Sequence, residues 1–298
     1  MNQTRTSEER IWAVLTHLSA LGMGMGLILP VIGWAEQRGK SKYAVFQSLQ
    51  ALGYQSLGYT VWILVGLLVG SASIFFLLFN IESVQNSEAV LNGWMIGHFS
   101  LVFMIAGLYF IPPVIAAIAC ALGKDFYYPF MGKRLAKYLN YDSVNEDSLN
   151  EDREDRWVAA AGHFSVIIAF WGLFAPVAAW ILQGRRSAWL KFQSAQAIAL
   201  HAFTLLFGFA AGALYLVGFV AFIGLTGFSG ESMNSSAGLI GVVVAFGAMA
   251  VALLMFLVIP LFHIMGQWAG YRTLKGDDYR YPIIGKLVAR VILKQETL

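Results

Sequence analysis

Phe46-Gln47-Ser48-Leu49-Gln50-Ala51 and Phe192-Gln193-Ser194-Ala195-Gln196-Ala197 differ at one position of six and lie 146 residues apart in one chain. Working outward at that offset, His17 falls on His163, Ser19 on Ser165, Gly26 on Gly172, Pro30 on Pro176 and Trp34 on Trp180, without a gap. Further on the offset drifts, which places small insertions late in the second half. Ile111-Pro112 then meets Ile259-Pro260, and Tyr128-Pro129 with Gly132-Lys133 meets Tyr281-Pro282 with Gly285-Lys286. So many coincidences at special residues indicate a tandem duplication of a unit of about 140 residues. The expected organisation is a first repeat over 1–140, an acidic linker over 141–156 and a second repeat over 157–298.

The unit is a membrane unit. Of 298 residues, 58% are hydrophobic and 12% charged, with a mean hydropathy of +0.65. Soluble domains carry about a quarter charged residues. Six apolar segments, 11–35, 51–80, 93–122, 157–183, 195–225 and 238–271, contain no Lys, Arg, Asp or Glu. Each exceeds the roughly 20 residues that cross a bilayer as a helix. Hydrocarbon cannot satisfy free backbone groups, so helix is the expected state of all six. The fold class is therefore all-α, a polytopic helical membrane protein of two parallel repeats. The net charge of +3 is too balanced for a nucleic-acid partner. The single Cys120 excludes an internal disulfide and a cysteine metal cluster. The first residues, with Glu8 and Glu9 ahead of the apolar run, do not read as a cleaved signal peptide. Residues 82–88 and 229–236 are short polar connectors.

Basic residues choose the topology. The connectors after the second and fifth segments hold no Lys or Arg; all 20 lie in the other connectors and the termini. If six segments crossed, the two sides would carry eleven and nine. If the first segment of each repeat dips in and returns, one side carries all 20. The positive-inside rule selects the second arrangement, with four full spans, two re-entrant or kinked segments, and both termini in the cytoplasm of a bacterial inner membrane. Gly26 with Pro30, and Gly172 with Pro176, supply the break in those segments. The basic, aromatic-marked stretches 40–51 and 186–197 then read as interfacial helices anchored by headgroups and leading into the next span. Each repeat closes with a basic amphipathic helix on which Lys133 and Lys137, or Lys286 and Arg290, share a face. These four residues are expected to meet anionic lipid headgroups.

The candidates for chemistry are few. His17 and His163 are equivalent, and two imidazoles on pseudo-symmetric helices are a possible haem or metal ligand pair; a helix-packing role is the plainer expectation. Gln47 with Gln50, and Gln193 with Gln196, are three apart on one helix face. They are expected to support the hairpin or line a polar path. His98, His201 and His263 read as isolated polar positions, His201 aligning with Gln55. Asp125 and Asp277-Asp278 read as solvated turns. There is no His-Glu-x-x-His, P-loop or Gly-x-Ser-x-Gly, and no carboxylate inside an apolar segment, as proton-coupled transport would need. No catalytic residues, metal or cofactor are expected.

Glu9-Arg10-Ile11-Trp12-Ala13-Val14-Leu15-Thr16-His17-Leu18-Ser19-Ala20, then Pro30, the Gln-rich element and the closing Tyr127-Tyr128-Pro129 resemble a bacterial membrane-protein family. That family is described as similar to the chloroplast inner-envelope import-translocon component, and includes magnetosome membrane proteins that influence crystal maturation. The second copy, Arg156-Trp157 to His163-Phe164-Ser165, is degraded, its Trp displaced by one relative to His. The resemblance implies a small helical membrane protein without catalytic residues, usually as a single copy. The expected function is a non-catalytic scaffold or accessory subunit among other membrane-protein subunits, in the manner of protein translocation or insertion. The alternatives are a passive channel or small-solute transporter lined by the hairpins and glutamines, and a haem-binding electron-transfer subunit.

Overall fold

The computed structural model describes residues 5–142, 149–227 and 236–295. Parts of the linker (143–148) and of the connector read at 229–236 lie outside the described residues. Every described element is helical. The first repeat holds α1 (Ser7–Leu18), a 3₁₀ segment (Ser19–Leu27), α2 (Ile28–Gln37), α3 (Lys42–Phe79), the short α4 (Ile81–Asn86), α5 (Glu88–Ala121) and α6 (Gly132–Leu139). The second holds α7 (Glu151–Phe164), a 3₁₀ segment (Ser165–Leu173), α8 (Phe174–Gln183), α9 (Ala188–Gly227), α10 (Ser236–Leu274) and α11 (Ile284–Gln295).

The first apolar segment of each repeat doubles back. Helix α1 opens with a capping box: the Glu9 backbone N–H donates to Thr6 Oγ1, and the Thr6 N–H donates to the Glu9 carboxylate. That carboxylate also accepts from the hydroxyl of Ser41, the N-cap of α3, at 2.6 Å, and Gln37 Nε2 donates to Glu8 Oε1 at 2.9 Å. In a straight helix Glu8 and Gln37 would stand about 44 Å apart. The second copy closes alike, Arg186 donating to both oxygens of Glu151 at 2.8 Å.

The reversal falls at Met23 (φ 53°, ψ −134°) and Ala169 (φ 48°, ψ −131°). They are 146 apart, the offset of the duplication. A non-glycine residue at positive φ costs roughly 1–3 kcal/mol, so the same strain held twice belongs to the fold. Gly26 and Gly172 serve the reversal by close approach: a Cβ on them would stand 1.9 Å from Ser19 O and 2.0 Å from Ser165 O. Pro30 and Pro176 occupy the third positions of α2 and α8, where a missing N–H costs nothing, so they start the returning helix rather than break the incoming one.

The four remaining segments are long helices with two zones. Lys42 to Phe79 is 38 residues, or about 57 Å, longer than the roughly 30 Å hydrocarbon core. Tyr43 to Ser56 of α3 is almost wholly buried under the hairpins, so the stretch at 40–51 is the packed base of the span and not an interfacial helix, while 57–79 is largely exposed and apolar, with Leu64, Leu67, Leu68, Phe75 and Leu78 facing outward. Those 23 residues span about 34 Å. The first hairpin's turn is level with the boundary, since Gln55 donates to Ser19 Oγ at 2.9 Å. The hairpins therefore form a body at one end of four apolar rods, their tips level with the start of the exposed apolar zone of α3.

The repeats are fused through this body. The Trp157 indole N–H donates to Leu49 O at 2.8 Å, and its ring occupies the space a Cβ on Gly53 would take. Trp34 Nε1 donates to Glu154 at 2.8 Å, and Arg38 pairs with Asp155 at 2.6 Å and Glu154 at 3.4 Å. The hairpin tips touch where Gly24 faces Trp171 and Ile168. The linker read through Arg156 thus ends sooner: α7 begins at Glu151, capped by Asn150, and Glu154 and Asp155 are buried in the seam instead of solvated. Acidic residues favour a helix N-terminus, and Arg38 supplies the countercharge.

Candidate functional site

The equivalent histidines and glutamines meet in two matching clusters, one per repeat, at the base of each hairpin. In the first, His17 projects from α1, Gln47 and Gln50 from α3, and Tyr128 from the segment after α5. All four are buried. Gln50 Nε2 donates to Phe126 O at 2.7 Å and to Gln47 Oε1 at 3.2 Å, while its Oε1 accepts the Tyr128 backbone N–H at 3.2 Å. Gln47 Nε2 donates to the same Phe126 carbonyl at 3.3 Å. A carbonyl can only accept and an N–H can only donate, so both amide orientations are fixed, and Gln47 Oε1 is an acceptor. His17 Nε2, 3.0 Å from that oxygen, must carry the proton. Nδ1, 3.0 Å from the Tyr128 hydroxyl, must accept. Each polar atom has one permitted role.

The second cluster repeats this. His163 lies 3.2 Å from Gln193 Oε1 and 3.0 Å from the Tyr281 hydroxyl. Gln196 Nε2 donates to Tyr279 O at 3.0 Å and Gln193 Oε1 at 3.3 Å, and the Tyr281 N–H donates to Gln196 Oε1 at 3.1 Å. Burial holds both phenols, Tyr128 and Tyr281, well above the ordinary tyrosine value of 10.0, so they stay protonated as donors. A Cβ on Gly132 or Gly285 would stand 2.6 or 2.8 Å from the Gln50 or Gln196 amide oxygen, so glycine is what admits the glutamine.

These clusters are clamps. They tie the hairpin, the long helix and the chain leaving the third segment into one unit, and the carbonyls they take belong to that departing chain. The hairpin turn has its own support. Gln55 Nε2 donates to Thr16 O at 3.3 Å as well as to Ser19. His201 takes its place in the second copy, donating from Nδ1 to Ala197 O at 2.8 Å, with its Nε2 in the space a Cβ on Gly172 would need. Of the acidic turns, Asp125 accepts from the Tyr141 hydroxyl at 2.6 Å and pairs with Arg5 at 3.5 Å, while Asp277 and Asp278 pair with Arg272 and Arg280.

Neither imidazole offers a free lone pair: both nitrogens of His17 and His163 face protein groups, so a ligand role would require breaking a clamp. Among the described residues no group of three or more His, Cys, Asp or Glu side chains could hold a metal. Lys133 and Lys137 are exposed on α6 opposite the buried Leu135 and Leu139. Lys286 and Arg290 are exposed on α11 beside the exposed Ile283, Leu287 and Val291, an arrangement suited to lying along a membrane surface. The sequence did not single out Tyr128, Tyr281, Gly132, Gly285 or Gln55. The duplication aligns the first four in pairs, but the tyrosines act through histidines 111 and 118 residues away and the glycines through Gln50 and Gln196.

The family model described as the magnetosome magnetite crystal formation protein family matches residues 8–135 and again residues 154–288. The two matches coincide with the two repeats, each running from the hairpin to the amphipathic helix. No curated protein and no solved structure matches the chain.

Proposed function

Because this chain belongs to the magnetosome magnetite crystal formation protein family, we propose that it is a non-catalytic integral membrane scaffold, an accessory subunit that organises other proteins at one face of a membrane. The observation that carries this reading is the duplicated clamp: its histidines, glutamines and tyrosines are spent on each other and on backbone, which yields rigidity and leaves no reactive group. Rigidity at the base of four apolar rods is what a platform requires. The one-sided basic residues support a cytoplasmic hairpin body and cytoplasmic termini, with α6 and α11 on anionic headgroups. Within the family's described role of crystal formation, this assigns the chain to the membrane side of the process, holding an assembly in place rather than transforming a substrate. Assistance to protein insertion is the same role with a polypeptide client.

The channel alternative needs amides free along a path, and the haem alternative needs free imidazole nitrogens; the clamps consume both. The test is extraction of tagged full-length chain from native membranes in mild detergent, followed by mass spectrometry. A stoichiometric membrane partner is expected, from a colourless preparation. Recovery of the chain alone at every detergent strength overturns the scaffold reading, and a visible absorption band with bound iron revives the haem one.

A further inference from the structure

A cavity of 730 Å³ lies at the seam between the repeats, on the first repeat's side. Leu57, Gly58 and Trp62 of α3, Pro112 of α5, and Trp157 of the second repeat form its apolar wall. Arg134, exposed on α6, is the one charged side chain among the described residues that line it, and no described carboxylate pairs with it. We propose that this cavity holds one anionic phospholipid, with an acyl chain between α3, α5 and Trp157 and the headgroup phosphate on Arg134.

Three observations converge on that occupant. The walls are apolar with a single cation, which is the complement of an anionic amphiphile and of no soluble metabolite. Guanidinium binds phosphate through paired N–H donors. Phe130, also lining the cavity, is 89% exposed and held at φ 62°. A bulky aromatic in the left-handed region is strained, and an exposed one finds its contacts in lipid. The site is single. At the duplication offset Leu57 becomes Phe203, which with Phe207 packs edge-on against Phe262 at 5.1 and 5.5 Å, so the second copy presents a different wall. Its walls come from both copies, so the seam created by duplication creates the site. The proposal needs only that the chain sits in a bilayer; it does not depend on the scaffold role.

The test is native mass spectrometry of full-length protein in mild detergent after incubation with phosphatidylglycerol or phosphatidylcholine. One phosphatidylglycerol per chain should survive delipidation, in preference to phosphatidylcholine. Arg134→Gln, an exposed change that leaves the fold intact, should reduce retention about tenfold or more, the effect of one charged hydrogen bond. Gly58→Phe should abolish retention, since a Cβ there meets nothing within 4 Å and the ring would fill the cavity. Arg185→Gln, an exposed change in the second repeat, should leave it unchanged. Soluble glycerol phosphate should not displace the lipid. Equal retention of the two lipids, retention untouched by Arg134→Gln, or displacement by glycerol phosphate alone would each overturn the assignment.

Discussion

Replacing Gly26 by alanine tests the hairpin at its tightest point. The added methyl would stand 1.9 Å from Ser19 O, 2.6 Å from Ser19 C and 2.7 Å from Gln55 Oε1. Comfortable separation is about 3.5 Å, so the two limbs must part by about 1.5 Å. The obstructing atom is a backbone carbonyl beside the strained Met23, so no side-chain rotation relieves it. Overpacking of this kind costs about 1–3 kcal/mol, and a clash with backbone belongs at the upper end, about 3 kcal/mol. At about 2–4 °C per kcal/mol, the unfolding midpoint should fall by about 6–12 °C. Gly22→Ala is the matched control, four residues away with nothing within 4 Å of its Cβ. It should be neutral, or stabilising by up to about 1 kcal/mol through the unfolded chain. Gly172→Ala should repeat the Gly26 effect, its Cβ lying 2.0 Å from Ser165 O. Thermal unfolding of purified protein in detergent, followed by tryptophan fluorescence, measures all three. If Gly26→Ala and Gly22→Ala unfold at the same temperature, the limbs do not approach as described and the re-entrant reading fails.

Glu8→Cys combined with Gln37→Cys should be joined by a short bifunctional thiol cross-linker, detected as a mobility shift on a gel; a helix crossing the bilayer straight would hold them about 44 Å apart. Gln50→Ala should destabilise by about 1–3 kcal/mol, because it orphans the buried Tyr128 N–H and leaves Phe126 O only its longer bond from Gln47, and Gln196→Ala should match it in the second repeat. Alkaline titration should reveal the clamps too. The folded-state pKa of Tyr128 and Tyr281 lies above the unfolded value of 10.0, so their stabilisation is complete below pH 10 and declines as pH rises beyond it toward the folded value. Phenolate absorbance from these two residues should appear together with unfolding, and Tyr128→Phe with Tyr281→Phe should flatten the alkaline loss.

The duplication, the four apolar rods and the one-sided distribution of basic residues were legible in the residues alone. Hydrophobic segment length and charge asymmetry are properties of the chain that a bilayer reads directly, before any tertiary contact forms. The sequence also marked His17, Gln47 and Gln50 and their copies by their recurrence. It left open whether the glutamines line a path, and it placed the chain break near Gly26 and Pro30. Tertiary structure decided the rest. Met23 and Ala169 share no side-chain chemistry, so nothing in their identities announces a reversal; the packing of α2 against α1 imposes it. Tyr128 reaches His17 across 111 positions, and Glu154 and Asp155 are buried only because Trp34 and Arg38 of the other copy receive them. Local pattern determines which segments are helical and which face lipid. Pairing between distant polar groups is set by the free energy of leaving none of them unsatisfied, and that sum exists only once the whole body has assembled.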